Sequence, residues 1–404
     1  MQAADSHVIR LLRAELQSHS SRADAQLLEM RKPPSPIRAD GIAAFRLQRH
    51  HLLDDAPADA VTICRDMCGV QAQVMSAAYL QLWTRNHALT RAEIESALWK
   101  TRTLVKTSLM RQTLHLIPTD EFPLYIAALR PCRVAGALRV MARCGIAREE
   151  GEALTPLIMD ALASGPLGRA AIAAAVRPKV SKRVRNWMEK VWSIVRVPVA
   201  EGLICYGSGE SNEINFIRVD QWLPNTKQNP IPATEAQRAL LRKYLRAYGP
   251  ATLTDFSHWS GIPMQKVRPL RPVLEAELAE LPGDKKSSFL LREDVAVLSK
   301  SSGKKASIRL LPSFDSYLLA HREKNHLLSA KQYKRVYRNQ GWISAVVLID
   351  GAIVGVWSHK LQNKRLLVEI ERFGKLSRTA RAGVEREAEH LARFFESGLD
   401  LQFA

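Results

Sequence analysis

The chain has 404 residues, 46% of them hydrophobic and 25% charged, which is ordinary for a soluble globular protein of several domains. Its charge balance is not ordinary: 59 Lys and Arg against 40 Asp and Glu give a formal charge of +19 and a pI near 9.9. Such a surface attracts polyanions, while the lack of any apolar run near the roughly 20 residues of a membrane span excludes an integral membrane helix, and no secretory apolar segment follows Met1.

Residues 1–40 read as a flexible tail. A marginal amphipathic segment at 8–28 is broken by Arg31-Lys32-Pro33-Pro34-Ser35-Pro36. Four acids, Asp5, Glu15, Asp24 and Glu29, argue against a mitochondrial presequence, and Met30 is a second candidate start.

The first ordered module is expected over 41–150, with helices at 42–52, 58–68 and 72–86. Thr90 and Glu93 form a capping-box pattern for a fourth helix. Two β-rich stretches follow at 103–106 and 113–117. Helices followed by a hairpin are the order of a winged helix.

Within this module the stretch Gly69-Val70-Gln71-Ala72-Gln73 stands out. It is expected to open the helix at 72–86. On a continuous helix, residues two apart point about 200° apart. Gly69 tolerates a non-helical backbone, so Gln71 at the cap and Gln73 inside the first turn would face one cleft at the positive end of the helix. The plain alternative is a polar first turn with no further role.

A second module is expected over 151–230, with helices at 154–163, 170–176 and 183–195 and a hairpin of strands at 203–206 and 214–218. Between Arg169 and Arg196 there are eight basic residues and one acid. Lys182, Arg183 and Arg185 open its third helix, where a recognition helix meets a groove. A third module is expected over 231–300, with helices at 235–248, 253–260 and, irregularly because of Pro269 and Pro272, 265–279. Short strands are expected from 281 to 298. The Gly-Pro pairs at 165–166 and 249–250 each separate a first helix from a second, which suggests repeated modules.

Residues 301–404 read as a small β domain with a closing helix: strands at 307–311, 343–349, 352–357 and 365–370, then a helix at 377–396. Asp350-Gly351 is a hairpin turn. The stretch 322–338 holds six basic residues against Glu323 and becomes a phosphate-binding surface only if the other basic stretches share its side. The five cysteines are odd in number and lack the spacing of a disulfide framework. Cys64 and Cys68 have no further zinc ligands at matching spacing. All five are expected to be reduced, with no metal and no cofactor, in a cytoplasmic protein. Trp83, Trp99, Trp187, Trp192 and Trp259 are expected in the core.

Five stretches, in order, resemble the AlkZ/YcaQ family of winged-helix DNA glycosylases: Gly69–Gln73; Arg111-Gln112-Thr113-Leu114-His115-Leu116; Tyr248-Gly249-Pro250-Ala251-Thr252 with Trp259-Ser260-Gly261; Leu310-Leu311-Pro312-Ser313-Phe314-Asp315-Ser316-Tyr317-Leu318-Leu319; and Asp350-Gly351-Ala352-Ile353-Val354-Gly355-Val356-Trp357. No one of them is specific; the ordered set, spanning roughly 42–396, is. The resemblance implies an α+β fold of three tandem winged-helix modules and a small C-terminal β-barrel, arranged as a C. It implies a monomer acting on double-stranded DNA with alkylated purines, away from membranes, near the bacterial nucleoid. It also implies a catalytic Gln-x-Gln motif, here Gln71 and Gln73, of a branch similar to proteins that unhook bulky or crosslinking adducts. Arg111 is expected to meet phosphate and His115 to enter a groove, with a core or surface histidine as the alternative; Arg322 belongs to the same expected DNA-binding set.

Glutamine is a poor catalyst for an ordinary sugar–base bond, since it is neither base nor nucleophile. Alkylation at N7 or N3 makes the purine a cationic leaving group. The protein then has only to hold a water beneath C1′, which two amide carbonyls can do by orientation. Whether the base is flipped stays open. The rival readings are a non-catalytic multi-winged-helix DNA-binding protein or regulator, in which both glutamines are dispensable, and an RNA-binding protein. The second needs exposed aromatics on a sheet, and aromatic residues make up only 6% of the chain.

Overall fold

The computed structural model describes residues 39–53, 57–190, 194–208, 214–226, 230–281, 287–301 and 307–404. The tail expected before residue 39, Trp192 and the tip of the second hairpin lie outside them.

Helices α1 (Ala39–Arg49) and α2 (Ala60–Asp66) lead to a two-residue strand β1 (Val70–Gln71), then to α3 (Met75–Trp83) and α4 (Arg91–Glu95). Thr90 and Glu93 close the expected capping box on α4. The Gln71 stretch departs from expectation. It is strand, not helix: Val70 pairs with Leu116 and Gln71 with His115. The cap of α3 is Val74, so Gln73 lies outside the helix. Gly69 explains the change. Its φ of +94° suits glycine, and a Cβ there would stand 2.9 Å from the Ile117 side chain. The chain thus turns close against the strand Leu114–Pro118 and pairs with it before a helix can start. Gly69→Ala is expected to destabilise the protein by about 1–3 kcal/mol, through both the left-handed backbone and the contact with Ile117; urea unfolding of the two proteins measures it.

The first hairpin, β2 (Leu104–Ser108) and β3 (Leu114–Pro118), falls within a residue or two of expectation. After it comes a helix that the sequence reading left unassigned, α5 (Phe122–Arg143). It carries Pro123 at its start and Pro131 inside, and a proline within a helix reads as a break. Burial outweighs that penalty: Tyr125, Ala128, Leu129, Ala137 and Met141 are all nearly inaccessible.

Helices α6 (Arg148–Ala161), α7 (Arg169–Val176), α8 (Lys182–Lys190) and α9 (Arg196–Glu201) follow, with β4 (Leu167–Gly168) before α7 and the second hairpin, β5 (Ile204–Gly207) and β6 (Asn215–Arg218), after α9. The two hairpins are not separate. Lys106 on β2 pairs with Tyr206 on β5, giving one sheet in the order β1-β3-β2-β5-β6-β4. Helix α10 (Ala233–Tyr248) packs along α5, and α11 (Leu253–Ser260) follows. The expected third helix is two short pieces, Met264–Val267 and Leu270–Leu274, separated at Pro269. Strands β7 (Leu278–Leu281) and β8 (Ser288–Leu291) pair, but the expected strand character ends there, since Val295–Ser299 is helical.

The last unit is β9 (Ile308–Leu311), α12 (Ser316–Leu319), β10 (Val346–Ile349), β11 (Ala352–Gln362), β12 (Arg365–Arg372), α13 (Arg378–Phe394) and β13 (Gly398–Phe403). The expected barrel is not closed. Its strands form an open sheet in the order β13-β12-β11-β10-β9. Helix α13 packs against both edge strands, β9 and β13, and its buried Val384, Ala388 and Leu391 share a core with Leu310, Val347, Leu366 and Val368. A helix covers the face that a barrel would cover with strands.

The two ends of the chain pack together. Leu80 and Trp83 of α3 join that C-terminal core, while Leu47 and Leu52 join Leu311, Leu318 and Val346. At the junction Arg85 and Asp315 form a two-pronged ion pair at 2.9 and 2.8 Å, both side chains fully buried. Beside it, Gln81 donates to the Gln71 carbonyl at 2.9 Å and accepts from the Ser316 hydroxyl at 3.0 Å. Gln71 N–H in turn donates to Ser316 Oγ at 3.3 Å. The C-terminal unit therefore holds the backbone of the Gln71 strand.

Candidate active site

Val70 and Ala72 lie in the apolar core with Leu104 and Leu116. Strand alternation sends Gln71 to the other face. There it stands opposite His115, which is itself opposite Thr107. Gln71 is 5% exposed, and its Oε1 has no hydrogen-bond partner among the described residues. An amide oxygen buried without a partner is a costly acceptor.

Gln73 is exposed, and its Oε1 accepts from the Leu114 N–H at 3.4 Å. It lies on the rim of a cleft of about 680 Å³. The two amides do not both reach this cleft: Gln73 is among its lining residues and Gln71 is not. Among the described residues, Lys106, Arg133, Arg169 and Arg196 supply four cationic side chains to that lining, and no Asp, Glu, His or Cys contributes to it. Tyr206, Phe216 and Leu114 supply apolar surface, and Gln112 a second amide.

Arg133 is the most unusual of the cations. It is 6% exposed and donates to the Val199 carbonyl at 3.2 Å, while its Nε and Nη1 find no partner. Burial pulls its guanidinium down to about 10. Burial likewise lowers the Lys106 ammonium, which lies 5.9 Å from the Tyr206 ring. Cations held in a concave site without acids favour an anionic ligand. Sequence reasoning passed over Lys106, Gln112 and Arg133. The signal for Arg133 was a lone basic residue on the buried face of α5, legible only once α5 is recognised as a helix.

The expected DNA-contacting residues are spread out. Arg111 is half-buried in a left-handed turn, with a guanidinium nitrogen donating to the Trp259 carbonyl at 2.8 Å. His115 is buried, Nδ1 lies 2.9 Å from the Thr113 carbonyl, and burial with nearby Arg111 pushes its imidazole down to about 3. It is a neutral neighbour of Gln71 rather than a surface group. Lys182 is exposed and Arg185 half-buried; Arg183 pairs with Glu150 at 2.8 Å. Arg177 pairs with Glu189 and Lys179 with Asp160. Acids from α6 therefore offset charge that a count along 169–196 leaves bare. Arg322 is exposed, but Lys324 of the same basic run is buried, donates to the Leu318 carbonyl at 2.8 Å, and is pulled down to about 7 by desolvation. The hairpin joining β11 and β12 is a further exposed basic feature, with Lys360, Lys364 and Arg365 around a half-exposed Leu361.

All five cysteines are free thiols. Burial pushes Cys68 and Cys205 up to about 12, so neither is a thiolate at neutral pH. Trp83, Trp187 and Trp259 are core residues as expected, and Trp99 is half-buried. No helix among the described residues is long and apolar enough to cross a membrane.

Buried neutral histidines give the protein an acid-sensitive stability. His50, His115 and His321 are all lowered, first by desolvation and then by neighbouring cations. Below about pH 6.5 the unfolded chain binds protons that the folded one refuses, so stability falls as pH falls. Each group adds a slope of up to about 1.4 kcal/mol per pH unit in that range. Urea unfolding at pH 7.5 and pH 5.5 is expected to show a clear loss at the lower value, and a His321→Gln variant a smaller one.

Comparison with known proteins agrees with this architecture. Residues 64–394 match the family described as DNA glycosylase AlkZ-like. The chain is 31% identical over 361 residues to the interstrand DNA cross-link repair glycosylase of Streptomyces sahachiroi, covering 87% of this chain and 95% of that one. The solved structure of Streptomyces sahachiroi DNA glycosylase AlkZ superposes with a TM-score of 0.79 at 28% identity, over 90% of this chain and 99% of that one. The chain belongs to the AlkZ-like family of DNA glycosylases.

Proposed function

We propose that this glycosylase acts as a monomer, removing alkylated purines from double-stranded DNA by hydrolysing the N-glycosyl bond, with water placed by Gln71 and Gln73. The observation that carries the reading is the cleft: an exposed glutamine amide at the rim of a cavity that the described residues line with four cations and no carboxylate. The cations suit the phosphates that flank the lesion. An amide at that rim, neither base nor nucleophile, suits a substrate that needs no strong base, because its leaving group is already positively charged. Gln71 lies behind the cleft lining with its Oε1 unspent, and its share in holding the water rests on the Gln-x-Gln resemblance. The relative's substrate, interstrand crosslinked DNA, makes a crosslinked purine the bulkiest candidate lesion, and an open cleft accommodates bulk better than a closed pocket.

The helix-and-hairpin units within 41–150, 151–230 and 231–300 are read as three winged helices around the duplex, with 301–404 as the C-terminal unit. The exposed basic β11–β12 hairpin is read as a ribbon entering a groove. Lys182, Arg183, Arg185 and Arg322 are read as phosphate contacts, Arg111 as a contact at the hairpin, and His115 as a support for Gln71.

The test is release of modified base from duplex DNA carrying N7-alkylguanine. Abasic sites without strand scission, and no borohydride-trapped adduct through Lys106, are expected of a monofunctional enzyme. Tight binding without any release would instead leave a DNA-binding protein. Arg133→Gln is expected to weaken DNA binding and lower the slope of log affinity against log salt by about 1, as measured by fluorescence anisotropy.

A further inference from the structure

We infer that His87, Glu387 and His390 form a binding site for a divalent transition-metal ion of the zinc class, joining the catalytic module to the closing helix. Glu387 and His390 are three apart on α13 and so share a face. His87 comes from the turn after α3, at the other end of the chain. One donor atom from each lies within 4.8 Å of the others. The Nδ1 atoms of His87 and His390 are 2.7 Å apart, with the rings edge to face at 4.5 Å. His87 Nε2 stands 3.5 Å from Glu387 Oε1.

Two imidazoles and a carboxylate are a zinc donor set, with one position left for water. Around a tetrahedral ion at about 2.0–2.1 Å the two nitrogens would stand about 3.3 Å apart. The two nitrogens need to part by about 0.6 Å, and because His87 turns Nδ1 to His390 and Nε2 to Glu387, its ring must also rotate for one nitrogen to face both partners. The surroundings hold them in place. The His87 ring packs on Trp83 at 4.7 Å, and Trp83 packs on Phe394 of α13 at 5.6 Å. Glu387 is buried and its second oxygen accepts from the Leu310 N–H at 3.4 Å, which orients the carboxylate as a supporting hydrogen bond does in metal sites. Both histidines are half-buried, leaving a path for the ion. A contrary charge is present: Arg309 Nη1 lies 3.8 Å from Glu387 Oε1, and it lowers the affinity.

The ion would act structurally. It would tie the C-terminal end of α3, whose N-terminal side carries Gln73, to the helix that covers the last sheet. Without it His87 and His390 share a hydrogen bond through their Nδ1 atoms, and Glu387 pairs with Arg309. The two states are separable in the full-length protein. Chelator-treated protein would be titrated with Zn²⁺ by calorimetry and with Co²⁺ by visible absorption. One ion per chain is expected, with a rise in the unfolding temperature and a four-coordinate cobalt spectrum. His390→Asn and Glu387→Gln are each expected to weaken binding at least tenfold, while His359→Ala, outside the cluster, binds as wild type. If stripped protein takes up no ion, or if the cobalt spectrum is that of the hydrated ion, the site is refuted. Equal affinity in the cluster variants and wild type refutes it too. Should a variant fold poorly, the wild-type cobalt spectrum decides alone.

Discussion

Asp315→Ala is expected to cost about 3–5 kcal/mol of folding stability, because it strands the fully buried Arg85 guanidinium without its counter-charge. Both side chains are fully buried, and the two prongs at 2.9 and 2.8 Å give the guanidinium its carboxylate partner among the described residues. Asp315 also caps α12, accepting from the Tyr317 N–H at 2.9 Å. Losing that cap adds about 1 kcal/mol. Replacing both partners, as Arg85→Met with Asp315→Leu, is expected to recover most of the loss, since a buried pair is often no better than an apolar substitute. Urea unfolding of the four proteins of this cycle makes the measurement. A single variant within 1 kcal/mol of wild type would mean that water reaches Arg85. The effect extends to the site. Ser316, the next residue, holds both Gln81 and the Gln71 N–H, so the Asp315 variant is also expected to lose glycosylase activity in excess of its unfolded fraction.

That coupling explains what the sequence could and could not show. Asp315 and Tyr317 carry family resemblance, yet nothing in their spacing tells that a partner stands 230 residues away. Local signals were legible: the Thr90–Glu93 box, the paired runs around 103–117 and 203–218, the Gly-Pro turns and the long amphipathic helix of 378–394. Non-local ones were not. The last strand, β13, pairs parallel with β12 across an intervening helix. The merging of two hairpins into one sheet rests on the Lys106–Tyr206 register alone. Helix α5 was hidden by its own prolines, and with it Arg133. Gln71 and Gln73 stand out by their pattern, but the helical start expected for them is an extended chain. A helix would drive residues two apart to opposite sides; an extended chain returns them to one side. The strand at 70–71 thus eases the difficulty that a helical start had posed, although Gln73 has already left the ladder and turned toward the cleft.

Gln73→Ala is expected to slow release of an N7-alkylated purine by about 10²–10³, the usual cost of deleting one oriented polar group at a reacting centre. Its DNA affinity is expected to stay within about twofold of wild type, since one neutral side chain at the rim carries none of the phosphate attraction. Single-turnover release with enzyme in excess separates the two quantities. The internal control is the acceptor atom. Gln73→Glu keeps an oxygen where the amide had one, so it is expected to retain more activity than alanine; an equal loss in both would point to the amide nitrogen instead. Gln71→Ala is expected to act in the same direction, and the double variant to lose little beyond the worse single one, because two groups holding one water fail together. Additive losses would mean that the two glutamines do separate jobs. The dependence on lesion follows from the same chemistry. A cationic base leaves readily and needs only the water placed, so its release exposes the glutamines' contribution. A neutral adduct leaves a barrier that two amides cannot lower, and neither wild type nor variant is expected to release it.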